Sequence, residues 1–410
     1  MTKRQSRLLI FMCWALYVSA YLGRYSYNSN ILPISQFYKV SDTEVGLATS
    51  FFFFAYGAGQ IVNGLLCKYY NLKYVLPLGI FGSVIIHAVI FTGILPFHLI
   101  KYFWLLNGVC QSVLWSSLLL TLSRNLDENY IKKAIIAMST TASTGVLLSY
   151  GISALLALFN GFMYSFLIGA IVMTIFALIW LLLYDKVVKK TEVKVSAIES
   201  ETPIVKRKTD KSVYKILIVF GIFAIVINFI NDGLSTWVPK ILFDTYELPE
   251  SLSIMLTLIL PILTIFGTTL VVFLNKKIKD YTGLIAILFS MATIFIGVVV
   301  LLLSTSLWAI ILIAFGLISL LMSGSNNVVT SILPLTLRDK ANSGFLAGIL
   351  NGCCYLGSTI SSVGLGALSD YFGEWLPVCY VLLISSVFVV VVSLLIVVIK
   401  KVRSKLKNTV

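Results

Sequence analysis

The chain has 410 residues, of which 59% are hydrophobic and only 12% charged, against about 25% charged residues in an ordinary soluble domain. This composition excludes a soluble fold. The formal net charge of +14 is not gathered on a basic globular domain, so nucleic-acid binding is not expected either. Because the bilayer core has no water to bond with backbone groups, apolar blocks of about 20 residues must be helical. We therefore predict an all-α membrane protein.

Twelve apolar blocks long enough to cross a bilayer follow one another, and we number them span 1 to span 12. The first six predicted spans cover residues 8–34, 44–67, 73–95, 99–124, 133–156 and 161–184. The second six cover residues 213–241, 251–274, 282–304, 306–336, 341–368 and 375–399. Span 1 follows a short basic start but continues to about Pro33 and lacks a cleavage site of small residues, so we expect a retained helix rather than a signal peptide.

The spans divide the chain into two similar halves. Residues 1–184 form the predicted N-terminal bundle, 213–399 the C-terminal bundle, 185–212 a polar cytoplasmic linker and 400–410 a basic cytoplasmic tail. Arg24 precedes Pro33 in span 1 as Asn231 precedes Pro239 at the matching place in span 7. Parallel repeats of this kind are typical of transporters that bind substrate between their halves, near the middle of the membrane.

The distribution of Lys and Arg predicts the orientation. If the N-terminus is cytoplasmic, 27 of the 31 Lys and Arg lie on the cytoplasmic side, whereas Lys39, Lys101 and Lys240 lie outside and Arg24 lies within span 1. Basic residues are retained on the cytoplasmic side of membranes. We expect a multi-pass protein of a bacterial-type cell membrane, with both termini in the cytoplasm.

Arg24 is a basic residue inside an apolar span, where insertion scales assign a charge a cost of about 2.5 to 3.5 kcal/mol. Tyr17, Tyr21, Arg24 and Asn28 are spaced i, i+4, i+7 and i+11, so they share one helix face. Two interpretations remain open. Arg24 binds an anionic group of a solute, or it neutralises a structural acid or reaches to an interface.

Span 7 presents a similar polar face, formed by Asn228, Asn231, Asp232 and Ser235. Asp232 is the acid that the prediction places well inside a span. Opposite charges at matching positions of the halves suggest an ion pair between Arg24 and Asp232, which would offset the cost of burying both. The sequence leaves open whether such a pair is structural or part of a gate.

Polar side chains recur on single faces of other spans. They are Tyr56, Gln60 and Asn63 in span 2, Asn107, Gln111 and Trp115 in span 4, Ser323, Ser325, Asn326 and Asn327 in span 10, and Asn351, Tyr355 and Ser358 in span 11. Taken singly, such residues more often join helices than bind ligands, but their recurrence favours a shared site. Gly344, Gly348 and Gly352 predict a close helix contact along span 11.

Little in the sequence suits catalysis or metal binding. There are two histidines, His87 and His98, and six cysteines without a CxxC pair, which we interpret as packing residues. No Gly-rich phosphate loop with Lys-Ser/Thr is present, which argues against an ATP-driven pump. We expect a protein that is not an enzyme and has no cofactor or metal, and a solute or ion gradient as the energy source.

Short motifs in nearly every part of the chain outside the linker point to a family. They are Tyr21-Leu-Gly-Arg24, Tyr56-Gly57, Gly64, Lys73-Tyr-Val-Leu-Pro77, Gln111 with Trp115, Gly233 to Trp237-Val-Pro239, Ala347-Gly348, Tyr355-Leu-Gly357, Asp370 and Phe372-Gly373. Together they resemble the organophosphate:phosphate antiporter family of the major facilitator superfamily, which includes glycerol-3-phosphate and hexose-phosphate transporters. The resemblance implies a fold of two pseudo-symmetric six-helix bundles.

The resemblance also implies roles for individual residues. In that family two arginines, in spans 1 and 7, bind the phosphate with the help of tyrosines and a span 2 lysine. The first arginine corresponds to Arg24, and the tyrosines correspond to Tyr17, Tyr21, Tyr56 and Tyr355.

Several positions depart from the family pattern. The second arginine is replaced by Asn231, beside Asp232, and the lysine by Gln60. A histidine expected in span 5 is missing around residues 141–143, and Lys68 replaces the usual acid after span 2. Because a divalent phosphate ester favours two guanidinium groups, this site suggests a monoanion, a zwitterion or a proton-coupled solute.

The sequence thus predicts a secondary transporter of a small polar organic solute, with an organic anion or organophosphate as the expected class. We expect alternating access, a possible coupling ion or counter-solute, and a monomer in the lipid bilayer. The predicted substrate-binding residues are Tyr17, Tyr21, Arg24, Asn28, Tyr56, Gln60, Gln111, Trp115, Asn228, Asn231, Asp232, Asn327 and Tyr355. The alternative is a transporter-like sensor that binds an external solute and signals to a partner.

Overall fold

The computed structural model describes residues 1–188, 211–278, 280–337 and 343–408. Within these residues the regular elements are helices, and twelve helical stretches are long and apolar enough to cross a membrane. Spans 1 to 6 are Lys3–Asn28, Asp42–Tyr69, Leu72–Phe91, Phe97–Asn125, Asn129–Ala157 and Tyr164–Val187. Spans 7 to 12 are Val213–Tyr246, Glu250–Lys277, Tyr281–Leu302, Trp308–Ile332, Leu346–Phe372 and Leu376–Val402. The predicted fold class is confirmed, while residues 189–210 of the predicted linker lie outside the described residues.

Span 1 begins and ends earlier than predicted. Its helix ends at Asn28, and a separate short helix, Ile31–Tyr38, replaces the predicted continuation to residue 34. Pro33 explains the break, because its ring clashes with the carbonyl four residues earlier in a continuous helix but is tolerated in a first turn. Pro239, by contrast, lies inside the unbroken helix Lys211–Tyr246.

Other spans contain interruptions that the apolar pattern does not reveal. Span 4 consists of Phe97–Ser112 and Leu114–Asn125, span 5 of Glu128–Ser139 and Thr141–Ala157, and span 8 of Glu250–Leu256 and Ile259–Lys277. In span 10 the helix Trp308–Asn327 runs into a π-helical turn, Val328–Ile332, and then Leu333–Thr336. The helix Leu376–Asn408 extends span 12 through most of the predicted tail, because Lys, Leu and Arg are good helix formers.

The two halves repeat one packing scheme. In the first half span 1 packs against span 5, span 2 against span 4 and span 3 against span 6. The matching pairs of the second half are spans 7 and 11, 8 and 10, and 9 and 12. Between the halves, span 2 packs against span 11 and span 5 against span 8. The two six-helix bundles are therefore pseudo-symmetric.

Both chain ends lie at one end of the bundle, because an even number of spans returns the chain to its starting side. We call this the terminal end and the opposite one the closed end. At the closed end Asp42 of span 2 forms an ion pair with Lys240 of span 7, with a Nζ–Oδ1 distance of 3.0 Å. Lys240 also lies 3.3 Å from Asp244. The Asp42–Lys240 pair joins the halves.

The first turn of span 2 is capped from both halves. Ser41 and Glu44 form a capping box, with Glu44 accepting from the Ser41 N–H at 3.1 Å and Ser41 from the Glu44 N–H at 3.3 Å. Asp370 of span 11 accepts the N–H groups of Asp42 at 2.9 Å and Thr43 at 2.7 Å. The donors that a helix start leaves unpaired are thus satisfied, two of them by the opposite half.

Two glycines allow spans 2 and 11 to meet at the closed end. A Cβ atom at Gly366 would lie 2.6 Å from the carbonyl oxygen of Asp42, and one at Gly46 would overlap the carbonyl oxygen of Ser362. The ring of Trp237 from span 7 fills the space beside both glycines. The backbones are therefore in direct contact here.

The interface loosens toward the terminal end. Asn351 of span 11 still donates to Gln60 of span 2, and a Cβ at Gly352 would meet Ile61 at 3.1 Å. One turn farther, Gly348 has nothing within 4 Å of its Cβ position, and Leu65 is 70% exposed. The predicted glycine contact on span 11 is therefore present at Gly352 and absent at Gly348, because the halves diverge between them.

Candidate functional site

Arg24 lies among aromatic rings of spans 1 and 2. It is only 3% exposed, and its Cζ lies 4.0 Å from the ring centre of Tyr56, 4.3 Å from that of Tyr21 and 5.4 Å from that of Phe52. Cation–π contacts of a desolvated guanidinium contribute about 2 kcal/mol or more. The rings stabilise the cation without neutralising it.

A chain of amides and hydroxyls orients one side of the guanidinium. Arg24 Nε donates to Gln111 Oε1 at 3.2 Å. Gln111 Nε2 in turn donates to Ser83 Oγ at 3.1 Å and Asn107 Oδ1 at 3.3 Å. These bonds, from spans 3 and 4, direct the Gln111 carbonyl toward Arg24. The terminal nitrogen Nη2 of Arg24 is buried and has no hydrogen-bond partner.

Within the described part of the chain, no acidic residue forms an ion pair with Arg24. The ion pairs there include Lys73 with Asp185, Lys240 with Asp42 and Asp244, and Lys400 with Asp280. The carboxylate of Asp232 instead accepts from Ser358 Oγ and, at 3.4 Å, from Asn231 Nδ2. The suggested pair between Arg24 and Asp232 is absent in this state, because each is held by neutral groups of its own half.

Tyr56 links Arg24 to both halves. Its hydroxyl contacts the Tyr17 hydroxyl at 3.0 Å and accepts from Gln60 Nε2 at 2.7 Å. Its ring meets the ring of Tyr355 edge-on, 4.8 Å between centres. Gly57 permits this approach, since a Cβ there would lie 2.7 Å from the Cβ of Tyr355. Span 11 thereby contributes an aromatic wall beside Arg24.

Further rings extend this wall. The ring of Tyr17 lies 5.0 Å from that of Tyr21 and 5.2 Å from that of Trp115. The predicted site residues that lie around Arg24 are therefore Tyr17, Tyr21, Tyr56, Gln60, Gln111, Trp115 and Tyr355. They are held together by spans 1, 2, 4 and 11.

The second half contributes a separate polar group. Asn228 Nδ2 donates to Asn326 Oδ1 at 3.3 Å, and Cys354 Sγ approaches the same oxygen at 3.3 Å. Asn231 Oδ1 is buried and unpaired. Ser358, which donates to Asp232, lies one turn along span 11 from Tyr355, whose ring meets that of Tyr56 beside Arg24. Both groups therefore border one region between the halves.

Two predicted site residues lie elsewhere. Asn28 donates to Thr236 Oγ1 at 3.1 Å and accepts from Thr49 Oγ1 at 3.2 Å, so it belongs to the closed-end contacts. Asn327 Nδ2 lies 3.5 Å from Thr268 Oγ1 of span 8 and joins two spans of the second half. In this state the side-chain hydrogen bonds of Asn28 and Asn327 do not involve the Arg24 guanidinium.

Span 3 contributes residues that the sequence analysis did not assign to the site. His87 is fully buried, and its ring nitrogens lie 2.8 Å from the carbonyl oxygens of Gly23 and Ser83. It therefore holds the backbone of span 1 next to Arg24. Ser83 and His87 are spaced i, i+4 in an otherwise apolar span, which was the available signal.

Twelve spans in two repeated halves, with buried polar residues of both halves meeting between them, define a secondary transporter of small solutes. The model of the Major Facilitator Superfamily matches residues 13–361, and the chain belongs to that superfamily.

Solved structures with the same fold span almost the whole chain. A bacterial homolog of the human lysosomal transporter Spinster, in an inward-facing and occupied conformation, has a TM-score of 0.71 at 14% identity and 96% coverage of both chains. A D-xylose–proton symporter gives 0.70 at 14% identity, covering 96% of this chain and 97% of that one. The nucleoside transporter NupG gives 0.72 at 13% identity, covering 96% and 98%. No curated protein sequence matches the chain. These likenesses establish the fold and leave the solute open.

Proposed function

We propose that the chain transports a small organic anion and that Arg24 binds its anionic group. The observation that carries this proposal is the buried, unpaired Nη2 of Arg24, in a guanidinium that has no acidic partner among the described residues. Leaving a buried donor unpaired costs about 1–3 kcal/mol of free energy, and more when the donor is charged. An anion delivered by the solute would recover that loss.

The charge of Arg24, which the surrounding rings do not neutralise, favours an anion over a neutral solute. The structural neighbours include carriers of D-xylose and of nucleosides, but a neutral solute would leave the charge of Arg24 uncompensated. The proposed class includes organophosphates, because the short motifs of the chain resemble those of the organophosphate:phosphate antiporter family. A single arginine suits a monoanion best, since it offers one bidentate fork.

Transport requires the contacts at the closed end to break while the terminal end closes. We infer from the distribution of Lys and Arg that the terminal end faces the cytoplasm of a cell. The state described here is then open toward the cytoplasm. A counter-solute or ion would drive the return to the opposite state. We expect the carrier to act as a monomer. The Asp42–Lys240 pair and the Asp370 cap would form and break in each cycle.

A binding screen tests the proposal directly. The purified protein is heated with phosphate, sugar phosphates, glycerophosphodiesters, carboxylates, amino acids, D-xylose and a nucleoside. A ligand at 100 times its Kd stabilises the folded state by about 2.7 kcal/mol. We expect one or more anions to raise the Tm of the wild type, and not that of Arg24→Gln.

Arg124→Gln is the matched control, because Arg124 is exposed and bonds to the Lys68 carbonyl far from the site. It should respond like the wild type. Stabilisation by neutral solutes alone, or an undiminished anion response in Arg24→Gln, would refute the proposal.

A further inference from the structure

Asp232 is an acidic residue that has no role in binding an anion at Arg24. Its carboxylate accepts hydrogen bonds from Ser358 and Asn231, both neutral. An acid inside a membrane span costs about 2.5 to 3.5 kcal/mol even on lenient scales. Two neutral donors offset part of this cost and supply no positive charge to balance a carboxylate. Asp232 is thus the counterpart of Arg24, a charge of opposite sign without an ionic partner.

The acceptors needed for an ammonium group lie side by side on span 7. An ammonium has three donors and no acceptor. Asp232 supplies a carboxylate, and the neighbouring Asn231 Oδ1 is buried without a partner. The nearby Asn326 Oδ1 already accepts from Asn228 and Cys354, so it is less available.

Arg24 and Asp232 are separated but face one region. They form no ion pair among the described residues. Asp232 accepts from Ser358, one turn along span 11 from Tyr355, and the ring of Tyr355 meets that of Tyr56, which lies 4.0 Å from the Arg24 Cζ. A solute lying against these rings would reach an arginine of the first half and an aspartate of the second.

We propose that the solute is a zwitterion whose ammonium group binds Asp232 and Asn231 while its anionic group binds Arg24. This inference rests on the proposed function of Arg24 and adds the second charge of the solute. A zwitterion neutralises both buried charges at once, whereas a plain anion leaves Asp232 unpaired. Because its two ends bind opposite halves, it also favours their approach.

Pairs of probes that differ only in the ammonium group test the inference. Phosphoethanolamine is compared with ethyl phosphate, and alanine with propionate, by equilibrium binding to the full-length protein. For at least one pair we expect the wild type to bind the amine at least tenfold more tightly. Asp232→Asn, which keeps the shape of the side chain, should reduce that preference to less than twofold, and Arg24→Gln should weaken both members.

Two controls accompany the test. Asp127→Asn, at an exposed position outside the spans, should keep the full preference. Asn231→Ala removes the second acceptor and retains the carboxylate, so it should lower the preference partially. It also serves as the test variant if Asp232→Asn does not fold.

The outcomes separate this inference from the proposed function. Equal binding of both members, with dependence on Arg24, overturns the zwitterion and leaves the anion carrier intact. Binding that is unchanged in Arg24→Gln overturns both the zwitterion and the anion carrier. If Asp232→Asn keeps the amine preference but loses accumulation driven by a pH gradient, Asp232 carries a coupling proton and the ammonium site is refuted.

Discussion

At the scale of single residues, Arg24 shows how a membrane span can hold a cation without an acid. Rings at 4.0 and 4.3 Å and one hydrogen bond to Gln111 stabilise the guanidinium. Cation–π contacts of about 2 kcal/mol each, when desolvated, are comparable with the cost of about 2.5 to 3.5 kcal/mol of inserting the charge. The residue can therefore stay charged, with one nitrogen free for a ligand.

Gln111→Glu tests whether Arg24 can bind an anion because no acidic residue lies beside its guanidinium. The new carboxylate would lie where Gln111 Oε1 now accepts from Arg24 Nε at 3.2 Å, and would pair with the guanidinium. We expect the Tm of the ligand-free protein to rise by several degrees and anion affinity to fall at least tenfold. Both are measured by thermal unfolding with and without the anion.

Gln111→Leu is the control for this substitution, since it removes the amide and adds no charge. We expect it to lower the Tm and to leave anion affinity within a fewfold of the wild type. Unchanged anion affinity in Gln111→Glu would contradict the description of Arg24 as an uncompensated cation.

Residue spacing predicted part of the site. The i, i+4 and i+7 pattern placed Tyr17, Tyr21 and Arg24 on one face, and the structure gathers them. The pattern does not say how far along the span the site extends. Asn28, one turn beyond Arg24, belongs to the closed end instead. His87 was missed because its spacing with Ser83 gives no sign of which backbone the histidine will contact.

At the scale of elements, span 11 contributes to the closed end as well as contributing Tyr355 to the site. Asp370 caps span 2 of the other half, and Gly366 lets the two backbones touch. The apolar pattern predicted both spans, because a bilayer requires about 20 apolar residues in each. It could not predict the cap, which depends on how far the halves have closed.

Asp370→Asn should weaken the closed end. The substitution removes the charge that bonds the Asp42 and Thr43 N–H groups, and charged hydrogen bonds contribute about 1.5–3 kcal/mol. We expect the population with a separated closed end to grow at least tenfold. Spin labels at the exposed positions Lys39 and Glu374, in a background without native cysteines, report the distance between the halves.

Lys101→Gln, a substitution elsewhere in the first half, serves as the control and should leave the distances unchanged. An identical distance distribution in Asp370→Asn and wild type would show that the cap does not hold the halves together.

At the scale of the whole molecule, the two halves pack by one scheme, and their mutual contacts lie toward the closed end. Composition and repeat pattern predicted the twelve spans and the two bundles. The sequence could not predict which end is closed, because the same residues must support both states and these differ by only a few kcal/mol.

Reaction of an introduced thiol tests the orientation and the state together. Gly348 lies where the halves diverge, with nothing within 4 Å of its Cβ position. In a cysteine-free background, Gly348→Cys should react with a membrane-impermeant maleimide in inside-out vesicles and not in intact cells. Ser50→Cys, at a buried position near the closed end, should stay unreactive from both sides. Reaction of Gly348→Cys from outside would contradict the proposed inward opening.

The most direct test of the central claim is counterflow in liposomes that contain the purified carrier. Vesicles loaded with an unlabelled anion from the binding screen are diluted into a trace of the labelled anion. We predict that the wild type and Arg124→Gln accumulate label transiently, whereas Arg24→Gln and Gln111→Glu remain at the level of protein-free liposomes. Accumulation by Arg24→Gln at the wild-type rate, or binding without any flux by the wild type, would contradict an anion carrier built around Arg24.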